Sequence, residues 1–416
     1  MRASSINGLC EAATPSRRAL LVSGGGLFSW AYLPKFARAA DGRDPRFVTI
    51  ILRGALDGLS AVAPLGDPDY ERLHGALSLR RDGERPALEL DGFFGLNPGM
   101  PIFAKMFADK QAAIIHATAT GYRERSHFDG QDVLESGMPK PGSIASGWLN
   151  RVLEVLPKGE RVASARSGLG IGPVTPLILR GSAAVTGWAP TNLPPAGDDI
   201  AERLLALYGA RDPVLLNALA QGLGIDKIVS RDMGGMRAAQ PGGNVVDVMR
   251  QTARGAAKLM AADDGPRIGA LAYDGWDTHA NEGGATGRLA QLLSGLDGAI
   301  DEFRQTLGAS WKHTIIAVVT EFGRTARING TTGTDHGTGT VAFLAGGAVA
   351  GGRVMADWPG LKDAQLYENR DLRPTTDLRA VLKGVLADHL GLPAAALGEK
   401  VFPNTASLAP IKGLVA

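Results

Sequence analysis

Five short segments of the chain are apolar almost without interruption: RFVTIIL (46–52), QAAIIHA (111–117), RIGALAY (267–273), HTIIAVV (313–319) and TVAFLAG (340–346). Their apolar residues run together instead of alternating with polar ones. That is how strands covered on both faces read, as in a mostly parallel sheet. Between these runs the period changes. In GRLAQLLSGLDGAIDEFRQTL (287–307), Leu289, Leu292, Leu293, Leu296, Ile300, Phe303 and Leu307 fall three and four apart and make one apolar stripe. In PTTDLRAVLKGVLADHLGL, Thr376 is the expected N-cap, Leu378, Val381, Leu382, Val385 and Leu386 form the stripe, and Gly391 is the stop. Strand, helix and strand in alternation predict right-handed crossovers and an α/β sandwich. Residues from about 160 to 245 are rich in Gly, Pro and Ala and weakly periodic. They read as an insertion or cap-like region, with a short hairpin over 174–188.

Composition adds three points. With 416 residues and 44% hydrophobic content, the chain is long enough for one large core. The net charge of +2 gives no electrostatic footprint for nucleic acid as a partner. The single cysteine, Cys10, excludes an intramolecular disulfide.

The first 40 residues have the layout of an export signal. Arg17 and Arg18 are paired, an uncharged stretch runs from Ala19 to Pro34, and Ala37, Arg38 and Ala39 give a small-x-small pattern. The arginine pair resembles a twin-arginine signal. Cleavage near Ala39 or Ala40 would remove Cys10 and more basic than acidic residues, leaving a mature domain of 41–416. Such a signal implies the twin-arginine export machinery as a partner, and a periplasmic or extracellular location. No later segment is long and apolar enough to span a membrane.

Open α/β sheets bind ligands beyond the carboxyl ends of their strands. The segments that follow the predicted strands are therefore the ones to inspect. They bring Arg53 and Asp57, then Arg123, Arg125, Ser126 and His127, then Asp277 and His279, then Glu321 and Arg324. Asp335 and His336 lead directly into the last apolar run. Carboxylates mixed with imidazoles suit Zn, Mn or Fe, and carboxylates alone suit Mg or Ca. Each residue also has a plain structural reading: Asp57 as a turn aspartate, Ser126 as a helix N-cap, Asp335 and His336 as a hydrogen-bonded loop pair. Their common edge favours a shared site. His74, His116, His313 and His389 fall outside that set and read as structural.

The segments LRGALDGLS, RSHFDGQD, GWDTHAN, TEFGRTARINGTTGTDHG and DLRPTTDLRAVL, in that order, resemble the bacterial family called "domain of unknown function 1501". That family is grouped with the alkaline phosphatase and sulfatase superfamily. The resemblance implies an alkaline-phosphatase-like three-layer sandwich, a mostly parallel central sheet with helices on both faces, and a divalent metal centre of Zn, Mn, Mg or Ca. It implies Asp57, Asp277, His279, Glu321, Asp335 and His336 as metal ligands. Ser126 matches the nucleophile position, with water activated by metal as the other candidate, and Arg324 would assist. Arg53, Arg123, Arg125 and His127 would bind the anionic substrate. The chain departs from the superfamily pattern where Glu321 and Phe322 stand in place of Asp-His, and it lacks the formylglycine sulfatase signature. The expected function is an exported metal-dependent hydrolase of phosphate, less readily sulfate, esters of small molecules or glycans. The alternative is a non-catalytic envelope protein of the same fold that binds a glycan or a partner protein.

Overall fold

The computed structural model describes residues 44–157, 168–172, 174–190, 198–212, 215–216, 219–220, 223 and 244–416. The export signal expected over 1–40 and much of the 160–245 region lie outside these.

Nine strands of the described residues form one sheet. They are β1 (Arg46–Leu52), β2 (Ala112–Ala119), β3 (Gly168–Ile171), β4 (Val185–Trp188), β5 (Ile268–Tyr273), β6 (Thr314–Thr320), β7 (Thr340–Ala345), β8 (Arg353–Met355) and β9 (Thr376–Asp377). The spatial order is β8-β2-β7-β6-β1-β5-β3-β4, with β9 paired to β2. Strand β7 is antiparallel to both its neighbours, β2 and β6, and every other pairing is parallel. The carboxyl ends of β1, β2, β5 and β6 therefore share one edge with the beginning of β7.

Every position of β1, β2, β6 and β7 is buried, as uninterrupted apolar runs require. On one face, Val48, Ile50, Ile316 and Val318 meet α1 (Pro101–Ala108), α4 (Val245–Ala261) and α5 (Arg288–Leu307), through residues such as Phe103, Met249, Leu292, Leu296 and Phe303. On the other, Phe47, Ile51, Ile315 and Val319 meet α2 (His127–Ser136), α3 (Trp148–Val155) and α6 (Leu378–Leu390), through Leu134, Leu149, Val381, Val385 and Leu386. This is the predicted three-layer α/β sandwich. No helix among the described residues is long and apolar enough to cross a membrane.

Two local expectations are corrected. No hairpin occupies 174–188: Val185–Trp188 pairs in parallel with Gly168–Ile171 and extends the sheet edge. The N-cap of α6 is Asp377, whose carboxylate accepts from Arg379 N at 2.8 Å. Thr376 is instead held in the β9 ladder opposite Thr118.

Helix α1 begins with Met100, which supplies no side-chain cap. Asp297 of α5 replaces the cap across space, accepting from Phe103 N at 2.7 Å and Ile102 N at 3.0 Å. Asp297→Ala leaves two donors of a buried helix start unpaired, and we expect a loss of about 1–3 kcal/mol in denaturant unfolding. Burial pushes the Asp297 carboxyl up from 3.8 to about 6. The folded chain then holds this proton more tightly than the unfolded chain. Its stabilising contribution is complete below the unfolded value and is lost as pH rises through about 6. Unfolding measured between those values should show wild-type stability falling with pH, and Asp297→Asn should remove that component of the slope.

Candidate metal centre

The register of the ladder sets the site. Leu52, Tyr273 and Thr320 stand in one row, so the loops after β1, β5 and β6 start level with one another. Gly54 fits here because its φ is +121°, and because a Cβ would come within 2.3 Å of Asp277 N. Its backbone N–H donates to Glu321 Oε1 at 2.9 Å. Across the edge, the loop after β2 leads into α2, which opens at His127 with Ser126 at the N-cap position. His336 is held beside this loop by its Nδ1, which donates to the Arg125 carbonyl, and is bridged through its backbone to Arg324.

Four side chains converge at this edge. His336 Nε2 lies 2.9 Å from His127 Nε2 and 3.0 Å from His279 Nε2. The Asp277 carboxylate is 3.4 Å from His127 Nε2, 3.0 Å from His279 Nε2 and 3.3 Å from His336 Nε2. His127, Asp277 and His336 form a group able to hold a metal ion.

The opposite side of each ring explains the convergence. His127 Nδ1 faces Glu321 Oε1 at 2.8 Å, His279 Nδ1 faces Asp335 Oδ1 at 3.2 Å, and His336 Nδ1 faces the Arg125 carbonyl at 2.9 Å. Carboxylates and carbonyls only accept, so Nδ1 of His127 and of His336 carries the hydrogen, while His279 meets a carboxylate at both ring nitrogens, Asp335 at Nδ1 and Asp277 at Nε2. In the neutral rings Nε2 of His127 and Nε2 of His336 are then bare lone pairs, 2.9 Å apart and directed at a carboxylate. Electron-pair donors that face one another in this way repel unless a cation lies among them. Neutral imidazoles oriented through the other ring nitrogen are also how histidine ligates a metal. The donor set fits a divalent ion. Three imidazoles and one carboxylate suit Zn or Mn better than Mg or Ca, which prefer oxygen.

The electrostatics agree with this arrangement. The hydrogen bond to Glu321 pushes His127 up, whereas burial pushes His336 down. Burial pushes Asp277 up, but Arg324 outweighs it and holds the carboxyl below its usual range. Burial likewise raises Glu321, and hydrogen bonds from His127 and Gly54 more than offset it. The Arg125 backbone has φ +60°, a strained setting for a residue with a side chain, and it aims the carbonyl that His336 uses.

The other expected site residues stand elsewhere. Glu321 is fully buried behind the His127 ring, with Oε2 bonded to Thr320 Oγ1 at 2.9 Å, so it holds that ring in place. Asp335 does the same for His279. Asp57 is not in the cluster. Its Oδ1 caps the short helix Gly58–Ala61 by accepting from Leu59 N, and its Oδ2 lies 3.0 Å from buried His74. Arg324 bonds Asp277 at 2.6 Å and spends its other nitrogens on Thr334. Arg125 pairs with Glu368 and Asp371. Arg123 donates to the Thr120 and Tyr122 carbonyls. Arg53 pairs with Glu135 through one nitrogen, and its Nε has no hydrogen-bond partner. The Ser126 hydroxyl makes no capping bond to α2.

His127, expected at the substrate, instead has its Nε2 beside that of His336. Its place at the first position of the helix that follows β2 was the available signal. Glu282 and Thr334, which lie behind Arg324, carried no signal: each is one polar residue among several in a Gly-rich loop.

Over residues 44–401 the chain matches the family described as "Protein of unknown function (DUF1501)". No curated protein matches it. Among solved structures it is similar to Ps i-CgsB in complex with k-i-k-neocarrahexaose, at 10% identity over 84% of this chain and 73% of that one, with a TM-score of 0.39. It is similar to the phosphonate monoester hydrolase of Agrobacterium radiobacter, at 11% identity over 84% and 74%, with a TM-score of 0.34. It is also similar to a 2-O GAG sulfatase, at 13% identity over 89% and 76%, with a TM-score of 0.33.

Proposed function

The chain belongs to the DUF1501 family, and we propose that it is an exported metal-dependent hydrolase acting on phosphate esters and, less readily, sulfate esters. The observation that carries this reading is the convergence of three imidazole Nε2 atoms and the Asp277 carboxylate at the carboxyl edge of the sheet. His127, His279, His336 and Asp277 would hold the ion. Bound there, a divalent ion would polarise an ester oxygen and stabilise the charge that develops on it.

The chain's own residues supply the rest. Glu321 keeps His127 in the tautomer that presents Nε2, and Asp335 orients the His279 ring from its Nδ1 side. Arg324 holds Asp277 in place and is itself buried, at 1% exposure. Ser126, beside His127 and free of a capping bond, is the candidate nucleophile. Arg53, whose side chain is 29% exposed, would bind the anionic group. The paired Arg17 and Arg18 support twin-arginine export to the periplasm or beyond.

Protein purified without added metal should carry close to one equivalent of Zn or Mn by elemental analysis, and should turn over a phosphate monoester in a screen of phosphate and sulfate esters. Ser126→Ala should keep the ion and lose at least about 100-fold in kcat, as removing an attacking group does. Ion present with no turnover of any ester would favour the second reading, an envelope protein that binds a glycan or partner through the same centre. The altered Glu321–Phe322 pair supports that alternative. Protein without the ion, and unable to take it up, would sink both.

A further inference from the structure

Behind Asp277 runs a line of polar side chains that solvent does not reach. Arg324 donates to Asp277 Oδ1 at 2.6 Å and to Thr334 Oγ1 at 3.1 Å. Because Thr334 Oγ1 accepts from the guanidinium, its own hydrogen goes to Glu282 Oε2, 2.7 Å away. The second Glu282 oxygen is buried and receives no other hydrogen bond. The Asp57 carboxyl is its neighbour, and Asp57 Oδ2 is likewise buried without a hydrogen-bond partner. A hydrogen bond between two carboxyls requires a proton on one of them.

The neighbours decide which one. Asp57 accepts from Leu59 N and faces His74 Nε2 at 3.0 Å, and His74 in turn bonds Ser60 Oγ at 2.7 Å. Glu282 faces only a hydroxyl and the Asp57 carboxylate. Two ionised carboxylates touching in a fully buried setting would be strongly unfavourable. The proton therefore belongs on Glu282. Asp57, His74, Glu282, Thr334 and Arg324 are all at most 1% exposed, so water cannot substitute for any of these bonds.

We propose that Glu282 is a positioning residue of the metal centre: as a neutral acid it ties Asp57 to Thr334, and so fixes Arg324 in the orientation that presents Asp277 to the three histidines. Asp277 needs this support. Its side chain is 40% exposed, and other rotamers are open to it once the guanidinium is free to turn. The inference rests on the metal-centre reading above.

The test is Zn(II) titration of the full chain by calorimetry, with the Co(II) absorption spectrum and apo-protein melting recorded on the same variants. Glu282→Gln keeps both bonds, since its amide donates to Asp57 and its carbonyl accepts from Thr334. It should bind Zn within about threefold of wild type and keep the Co(II) spectrum. Glu282→Leu should weaken Zn binding by about 10–100-fold, the effect seen when outer support of a ligand is lost. If that variant does not fold, Thr334→Val breaks the same link from the other side and should weaken binding to a similar degree. Rescue by Gln together with loss in Leu or Val supports the proposal. Leu or Val variants that melt lower yet bind Zn as wild type overturn it, because the role is then only structural. Gln binding as weakly as Leu also overturns it, because Glu282 then acts as a charge. Wild type that takes up no Zn or Co overturns the metal-centre reading and this inference with it.

Discussion

His336→Ala should yield a folded protein that no longer retains a divalent ion. His336 Nε2 is the central atom of the cluster, within 2.9–3.3 Å of His127, His279 and Asp277. Removing it takes away one of four donors. It also removes the imidazole that His127 Nε2 and His279 Nε2 face at 2.9 and 3.0 Å. Loss of an outer supporting residue typically weakens metal binding 10–100-fold, so loss of a donor should cost at least about 100-fold. The fold should survive. The loop is held by backbone bonds that alanine retains: Thr325 N to the Asp335 carbonyl, Gly337 N to the Gly323 carbonyl, and the bridge between 324 and 336. Elemental analysis after dialysis, Zn titration and far-UV circular dichroism check the three parts. Stoichiometric metal in a folded His336→Ala protein would place the ion elsewhere.

The edge on which these groups meet was legible in the sequence, but their individual tasks were not. Strand β1 matches the apolar run 46–52 residue for residue, and β5, β6 and β7 match theirs within one, because strands buried on both faces admit little but apolar residues. The parallel ladder then delivers the polar residue after each run to one edge, whatever that residue does there. What a carboxylate does is settled over about one side-chain length. Asp57 and Asp277 both follow a strand by a few residues, yet one turns inward to cap a helix and meet His74, and the other faces the histidines. Linear spacing carries no such information. The edge strand β4 shows the same limit. Gly168–Ile171 and Val185–Trp188 are short and Gly-containing, and a hairpin and a parallel pair are written with the same residues.

Glu321 is where the two readings part in measurable terms. As a ligand, its removal would match His336→Ala. As the carboxylate behind His127, its two substitutions should differ from that variant and from each other. In Glu321→Gln the amide carbonyl still accepts from His127 Nδ1 and Gly54 N, and the amide nitrogen can donate to Thr320 Oγ1. The ring stays in place and only the charge is lost, so Zn affinity should fall by about 10-fold, the lower end for outer-shell changes. Glu321→Ala also leaves buried donors unpaired behind the ring, so affinity should fall by about 100-fold and the melting temperature should drop with it. The pH dependence gives an independent sign. Glu321 raises the His127 pKa, so in wild type protons compete with the ion from a higher pH downward. Without that charge His127 holds its proton less tightly. The acid edge of Zn binding should then move to lower pH in Glu321→Gln even though the plateau affinity is weaker. A ligand lost outright would lower affinity at every pH and have no reason to shift the edge that way. Zn titrations of wild type and Glu321→Gln across the histidine range separate the two roles, and an unshifted edge with His336→Ala-like affinity would make Glu321 a ligand after all.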